Sequence, residues 1–244
     1  MLWLNLCFIL LSLFLNRKTS AMNSKSRTVI VVAGGKGERM QTNVPKQFLM
    51  LHRQPVLMHT LRRFYGFDRS MKIIVVLPEA EVEYWNRLCY DLEFGIDHRV
   101  IHGGPSRFFS VLHGLSAAPD TGLIGVHDGV RPLVSAETIG ACYRKAAETG
   151  AAVPVTDAVE SIRQLTAEGS RAVDRSRYKL VQTPQVFDAQ LLKNAYSQEF
   201  SPLFTDDASV VEAYGHAVDL VPGNVENIKI TTPVDLRIAE LLLK

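Results

Sequence analysis

Two stretches of this sequence carry residue types suited to phosphate chemistry. The first, VIVVAGGKGERMQTNVPKQF at residues 29–48, runs an apolar segment into glycines at 34, 35 and 37, then sets Arg39 and Lys46 a short way downstream. Glycines allow backbone N–H groups to approach and wrap an anion with no Cβ in the way. Pro45 stiffens the backbone just before Lys46. A triphosphate fits such a turn, with two side-chain cations to offset charge that builds up during phosphoryl transfer. The turn matches neither familiar glycine pattern. The Walker pattern needs glycine where this chain has Ile30 and Ser or Thr where it has Gly37, and the dinucleotide fingerprint starting at Gly35 needs its third glycine where this chain has Met40. A tight connection flanked by two solvated cations is the plainer alternative.

The second stretch, VHDGVRP, sets Asp128 and Arg131 just beyond the apolar run 123–127. Ligands of open α/β sheets bind outside the carboxyl ends of the strands, so Asp128 falls where a metal-bound phosphate would sit. A carboxylate suits Mg²⁺, which needs only one or two of them when it is shared with substrate phosphates. A surface ion pair between Asp128 and Arg131, worth little by itself, is the alternative. A hydrolytic dyad of His127 and Asp128 is disfavoured, because adjacent strand residues point to opposite faces and no GxSxG elbow accompanies them. HGGPSRFFSV brings Gly103, Gly104, Arg107 and Ser110 to another strand-to-helix passage, which suits either a base or ribose pocket or a plain loop. ENIKITTP places Lys229 before the last helix; it gains a role only if the chain returns there to the glycine turn.

Something must position these residues, and the pattern of the chain says what. From Thr28 onward, β-branched runs alternate with helical segments, which implies βαβ units and a parallel sheet. Strands are expected at 28–32, 72–77, 99–102, 123–127, 151–155 and 218–221, and near-continuous apolar runs such as IIVVL imply cover on both faces. Helix ends are marked by Ser135 and Gly150 around AETIGACYRKAAET, by acidic residues and Gly215 around TDDASVVEAYG, and by Thr232 before Pro233. Residues 156–182 break the alternation. They read as two extended stretches around the turn-like AEGS with few large apolar residues, a β-hairpin arm projecting from the sheet. An isolated hairpin is marginal in water, so the arm is expected to pack on a second subunit.

Bulk properties restrict the classes further. The 244 residues, with 47% hydrophobic and 21% charged, fit one globular domain. A formal net charge of +2 gives no global argument for a nucleic acid or an anionic membrane as partner. Cys7, Cys89 and Cys142 are widely spaced and form no CxxC, which fits a reducing, cytoplasmic compartment. His98 and His102 lie in a strand-like stretch where their separation does not make a chelating pair. The apolar segment 1–21 has no basic residue ahead of its apolar run and is short for a membrane span. The expectation is an extension outside the domain, with 22–244 as a single domain starting at Met22; a membrane partner arises only if that extension is genuine.

Taken together, AGGKGERM, PKQF, GGPSRFFSV, HDGVRP, AVDRSRYKLVQTPQ, TDDAS and NIKITTP occur in the order and spacing that resembles the 2-C-methyl-D-erythritol 4-phosphate cytidylyltransferases of the non-mevalonate isoprenoid pathway, over residues 28–244. The resemblance implies a Rossmann-like nucleotidyltransferase fold, a homodimer through the β-arm, and Mg²⁺-dependent transfer of a cytidylyl group from CTP to methylerythritol phosphate with release of pyrophosphate. It implies Arg39, Lys46 and Lys229 around the phosphates as the catalytic cations. Ala33, Gly34, Gly35 and Gly37 would line the substrate, Gly104 and Ser110 would meet the cytosine, and Asp128 would contact Mg²⁺ or substrate with Arg131 at the same rim. Arg175 and Ser161 on the arm, together with Thr205, would serve the methylerythritol phosphate, with Arg175 reaching the partner's site. Two rival readings remain open: cytidylyl transfer to ribitol 5-phosphate, whose enzymes share the glycine loop and NIKITTP, and a non-catalytic nucleotide-binding protein.

Overall fold

The computed structural model describes residues 25–35 and 44–243. Gly37 and Arg39 of the glycine turn, and the apolar segment 1–21, therefore lie outside the described residues.

Strands that are apolar at nearly every position need cover on both faces, and three such strands build the centre of the fold. They are β1 (Arg27–Val32), β4 (Lys72–Leu77) and β6 (Leu123–Asp128). A small hairpin of β2 (Met50–Leu51) and β3 (Gln54–Pro55) lies between the first two in sequence. Alternation along each strand divides the side chains between two cores. Val29, Val31, Ile73 and Val75 enter one, while Ile30, Ile74, Ile124 and Val126 enter the other. On the first side lie α1 (Val56–Phe67), α2 (Glu79–Asp91) and α4 (Ala136–Thr149), which contribute Leu61, Phe64, Trp85 and Tyr143. On the second lie α3 (Arg107–Ser116), α5 (Ala189–Ala195) and α6 (Asp207–Ala213), which contribute Phe108, Val111, Leu192 and Val210.

The sheet is mostly parallel, as expected. β5 (Arg99–His102), β4, β1 and β6 run side by side in parallel, and β12 (Asp219–Pro222) is parallel to β7 (Ala151–Asp157). Between β6 and β7 sits an antiparallel strand that the sequence pattern did not reveal, β11 (Gln185–Asp188). Across a cis Thr183–Pro184 bond from it, β10 (Lys179–Val181) pairs antiparallel with β7 but not with β6. The segment QVFD is too short to show a period and lacks flanking turn residues on its far side, where Asp188 caps α5 directly.

The expected helix ends are present. The Ser135 hydroxyl accepts the Thr138 N–H at 3.0 Å, and α4 stops at Gly150 with φ 91° in the left-handed region. Thr232 caps α7 (Pro233–Leu242), with Pro233 in its first turn. The arm is narrower than expected. Asp157 and Lys179–Val181 belong to the main sheet, and the projecting hairpin proper is β8 (Ile162–Thr166) with β9 (Gly169–Val173), which among the described residues pair only with each other. Among the described residues, no helix is long and apolar enough to cross a membrane, and no cluster of three or more potential metal ligands occurs. His98 is committed to packing: its Nε2 accepts the Trp85 indole N–H at 3.0 Å and its Nδ1 bonds the Ile96 carbonyl at 2.7 Å.

Candidate active site

Parallel pairing places Val32 opposite Asp128, so the glycine turn and the HDGVRP turn leave the sheet at the same edge. β4 and β5 end beside them, with Leu77 opposite His102, which delivers the loop carrying Gly104 to that edge as well. The last contributor comes from far along the chain. Leu51, Val56, Val130, Leu133, Ile230 and Ala239 form a small third core, and the Ile230 N–H donates to the Val130 carbonyl at 2.9 Å. Arg131 Nη1 donates to the Asn227 carbonyl at 2.7 Å. NIKITTP is thereby sewn to HDGVRP, and Lys229 enters the cleft lined also by Gly35, Lys46, Gly104, Arg107 and Asp128.

Asp128 is the electrostatic centre of this cleft. Its Oδ2 accepts Arg131 Nε at 3.1 Å and stands 3.1 Å from Lys229 Nζ, while its Oδ1 faces Arg107 Nε at 3.9 Å. Burial by itself raises a carboxyl pKa, but Lys229, Arg107 and Arg131 reverse that effect and hold Asp128 well below the usual carboxylate range. Asp128 is therefore a fixed negative charge at neutral pH among three cations, and the cleft as a whole favours anions.

Lys46 faces this group from the glycine side. Phe48 anchors the segment, buried with its ring 6.0 Å from Trp85, and the neighbouring Gln47 donates to Glu81. The absence of a side chain at Gly35 matters here: a Cβ built there would lie 3.1 Å from Lys46 Cε and 3.3 Å from Nζ. Glycine thus lets the lysine head lie along the backbone of the turn. Gly104 is equally constrained, since its Cβ would fall 2.4 Å from that of Phe109. Ser110 supports that loop: its hydroxyl accepts the Gly104 N–H at 3.1 Å and donates to the Ser106 carbonyl at 2.9 Å.

His127 points to the other face, as strand geometry requires, with its ring 4.8 Å from that of Phe64. Burial pushes its pKa down to about 4. The Arg131 carbonyl can only accept, so His127 Nε2 carries the proton in that 3.1 Å bond and Nδ1 accepts from the Thr183 hydroxyl at 3.0 Å. The same hydroxyl accepts the Asp128 N–H at 3.1 Å. Thr183 and His127 therefore fix the backbone of the turn and leave no proton-transfer partnership between His127 and Asp128. Thr183→Val is expected to lower stability by about 2–4 kcal/mol, because it strands two buried polar groups, and urea unfolding checks this.

Several residues of the site escaped the reading of the sequence. Arg107 was visible only as one member of a loop, and Asp207 only as an acidic helix start. Here Asp207 is fully buried and holds Arg107 through two bonds, Nη1 to Oδ1 at 3.0 Å and Nη2 to Oδ2 at 2.6 Å. Asn227 and Thr183 were likewise silent, since a neutral side chain with a structural partner leaves no local signature. Of the residues expected to serve the acceptor, Thr205 is exposed two positions before Asp207, and Ser161 and Arg175 are exposed on the arm. The Arg175 guanidinium bonds the Val159 carbonyl. None of these three lines the cleft around Asp128 within one chain.

Comparison with known proteins gives a consistent result. The family model described as 2-C-methyl-D-erythritol 4-phosphate cytidylyltransferase matches residues 27–244. The protein of that name from Phocaeicola vulgatus is 56% identical over 218 residues, covering 89% of this chain and 100% of the relative. Its namesake from Porphyromonas gingivalis is 51% identical over 220 residues, covering 90% and 98%. Among solved structures, the 2-C-methyl-D-erythritol 4-phosphate cytidylyltransferase of Thermus thermophilus superposes with a TM-score of 0.71 at 32% identity, covering 89% of this chain and 98% of that one. The 4-diphosphocytidyl-2C-methyl-D-erythritol synthase of Anaerococcus prevotii gives 0.78 at 26% identity, covering 91% and 98%.

Proposed function

The chain belongs to the 2-C-methyl-D-erythritol 4-phosphate cytidylyltransferase family, and from that membership we infer that it transfers the cytidylyl group of CTP to 2-C-methyl-D-erythritol 4-phosphate. The products are 4-diphosphocytidyl-2-C-methyl-D-erythritol and pyrophosphate. The observation that carries this reading is the gathering of Lys46, Arg107 and Lys229 around Asp128 at the carboxyl edge of parallel strands, beside a backbone freed of side chains at Gly34 and Gly35.

The chemistry asks for little beyond positioning. A phosphate oxygen of the acceptor attacks the α-phosphorus of CTP, the new P–O bond forms as the bond to the β-phosphate oxygen breaks, and the electron pair leaves with pyrophosphate. The attacking oxygen is already anionic at neutral pH, so no strong general base is required. What must be overcome is the repulsion between two polyanions. On this reading Lys46 and Lys229, which line the cleft together with Asp128, offset the charge of the triphosphate and of the incoming acceptor phosphate. Mg²⁺ fits as the cofactor: Asp128 Oδ1 is a hard donor that Arg107 Nε faces only at 3.9 Å, and bound there the ion would supply electrostatic clamping of the triphosphate.

We read the functional unit as a homodimer through the arm. Support comes from Val159, Leu165, Leu180 and Val225, large apolar residues exposed by 73%, 83%, 52% and 78% on and around the arm. A hairpin that pairs only with itself also needs an external surface to be stable. On this reading Arg175, with Ser161 and Thr205, meets the acceptor in the partner's site. Arg175→Ala is then expected to raise KM for the acceptor about tenfold with KM for CTP changed less than about twofold; steady-state kinetics with each substrate varied checks it, and equal effects would count against an acceptor-binding arm. A cytoplasmic location belongs to the same reading.

The test of the activity is pyrophosphate release by residues 22–244 with Mg²⁺ and CTP, comparing methylerythritol phosphate with ribitol 5-phosphate. Release with methylerythritol phosphate alone supports the proposal. Preference for ribitol 5-phosphate would overturn the acceptor assignment, and silence with both would overturn the transferase reading.

A further inference from the structure

On the premise that the cleft binds CTP, we propose that Asp207 is a positioning residue: it holds Arg107 in the cleft as a nucleotide-binding cation and keeps that guanidinium from closing onto Asp128. Arg107 begins α3 and lines the cleft with 29% of its side chain exposed, whereas the Asp207 side chain is 0% exposed. Asp207 ties down both terminal nitrogens of the guanidinium, which leaves Nε turned toward Asp128 Oδ1 at a stand-off of 3.9 Å. A guanidinium is a rigid planar fork, so fixing two of its nitrogens fixes the third. Asp207 is held in turn by the Tyr196 hydroxyl, which donates to Oδ1 at 2.6 Å, and the Tyr196 ring stacks on Phe108 at 4.8 Å.

The start of α6 is bolted to the sheet independently. Gln185 of β11 donates to Asp206 Oδ2 at 2.7 Å and accepts the Ala208 N–H at 2.8 Å, while Asp206 caps the helix in a reciprocal box with Ser209. The path from β11 through α6 to Arg107 is therefore made of short bonds between buried and part-buried groups. Stability alone gives little reason for such a pair, because a buried ion pair is often no better than well-packed apolar residues of the same volume. Its consequence in the cleft is specific. Arg131 and Lys229 already occupy Asp128 Oδ2, and a released Arg107 would take Oδ1 and remove both its own charge and that oxygen from the substrate.

A double-mutant cycle with CTP and acceptor varied separately tests this. Asp207→Asn is expected to raise KM for CTP about tenfold with acceptor KM changed less than about twofold, and Arg107→Ala to do the same. In the double variant the two effects should not add, because Asp207 acts through Arg107. A merely structural role would lower the melting temperature and leave the CTP effect of Asp207→Asn intact in the Arg107→Ala background, and that outcome overturns the proposal. If Asp207→Asn does not fold, Tyr196→Phe enters the same cycle: a rise in CTP KM that disappears in the Arg107→Ala background supports the proposal, and one that persists overturns it. Absence of pyrophosphate release by the unmodified enzyme with CTP would instead refute the activity on which the proposal rests.

Discussion

Lys46→Ala is expected to lower kcat and kcat/KM together by about 10²–10³-fold, the usual loss when one preorganised charge partner of a transition state is removed. The parallel fall in both parameters follows from the proposed role of Lys46 beside the triphosphate, where negative charge grows as pyrophosphate departs. Folding should be spared. The segment is anchored by Phe48 against Trp85 and by Gln47 on Glu81, and the lysine head itself lies in the cleft. Single-turnover kinetics together with thermal melting separates the two effects, and near-normal turnover would remove Lys46 from the mechanism.

Asp128→Asn is expected to show two effects of opposite sign. Turnover should fall about 10²-fold or more, since the carboxylate proposed to hold Mg²⁺ is lost. Binding of CTP without Mg²⁺ should tighten, because the substitution removes a negative charge from among Arg131, Lys229 and Arg107 and leaves an even stronger anion site. Stability should fall by about 3 kcal/mol, as expected when one partner of a buried charge cluster is neutralised. Titration of CTP against both proteins with and without Mg²⁺ reads the sign change directly. Weaker CTP binding in the absence of Mg²⁺ would mean that Asp128 contacts the nucleotide as a hydrogen-bond partner and not as a metal-facing charge.

Much of the molecule is legible in its residues alone. The strands, the helix ends at Ser135, Gly150 and Thr232, and the hairpin arm follow from rules that act over a few positions: side-chain alternation, capping of orphan amides, left-handed glycine. So does the place of the glycine turn and of Asp128, because both sit at the end of an apolar strand and strand ends are where ligands bind in such sheets. β11 was not legible, because four residues cannot display a period and its antiparallel place between β6 and β7 is set by its neighbours.

By itself, then, the sequence determined the kind of sheet, the strand ends that carry the glycine turn and Asp128, and the class of ligand, since local stereochemistry and residue type suffice for those. Only the tertiary structure decided which distant groups meet there. Lys229 reaches Asp128 because Ile230 packs in the third core and bonds Val130. Arg107 is oriented because α6, fastened by Gln185, brings a buried Asp207 under it. No spacing along the chain encodes either meeting: each is a balance of charges closed between segments far apart in sequence, and burial, which makes those charges count, exists only once the layers have packed.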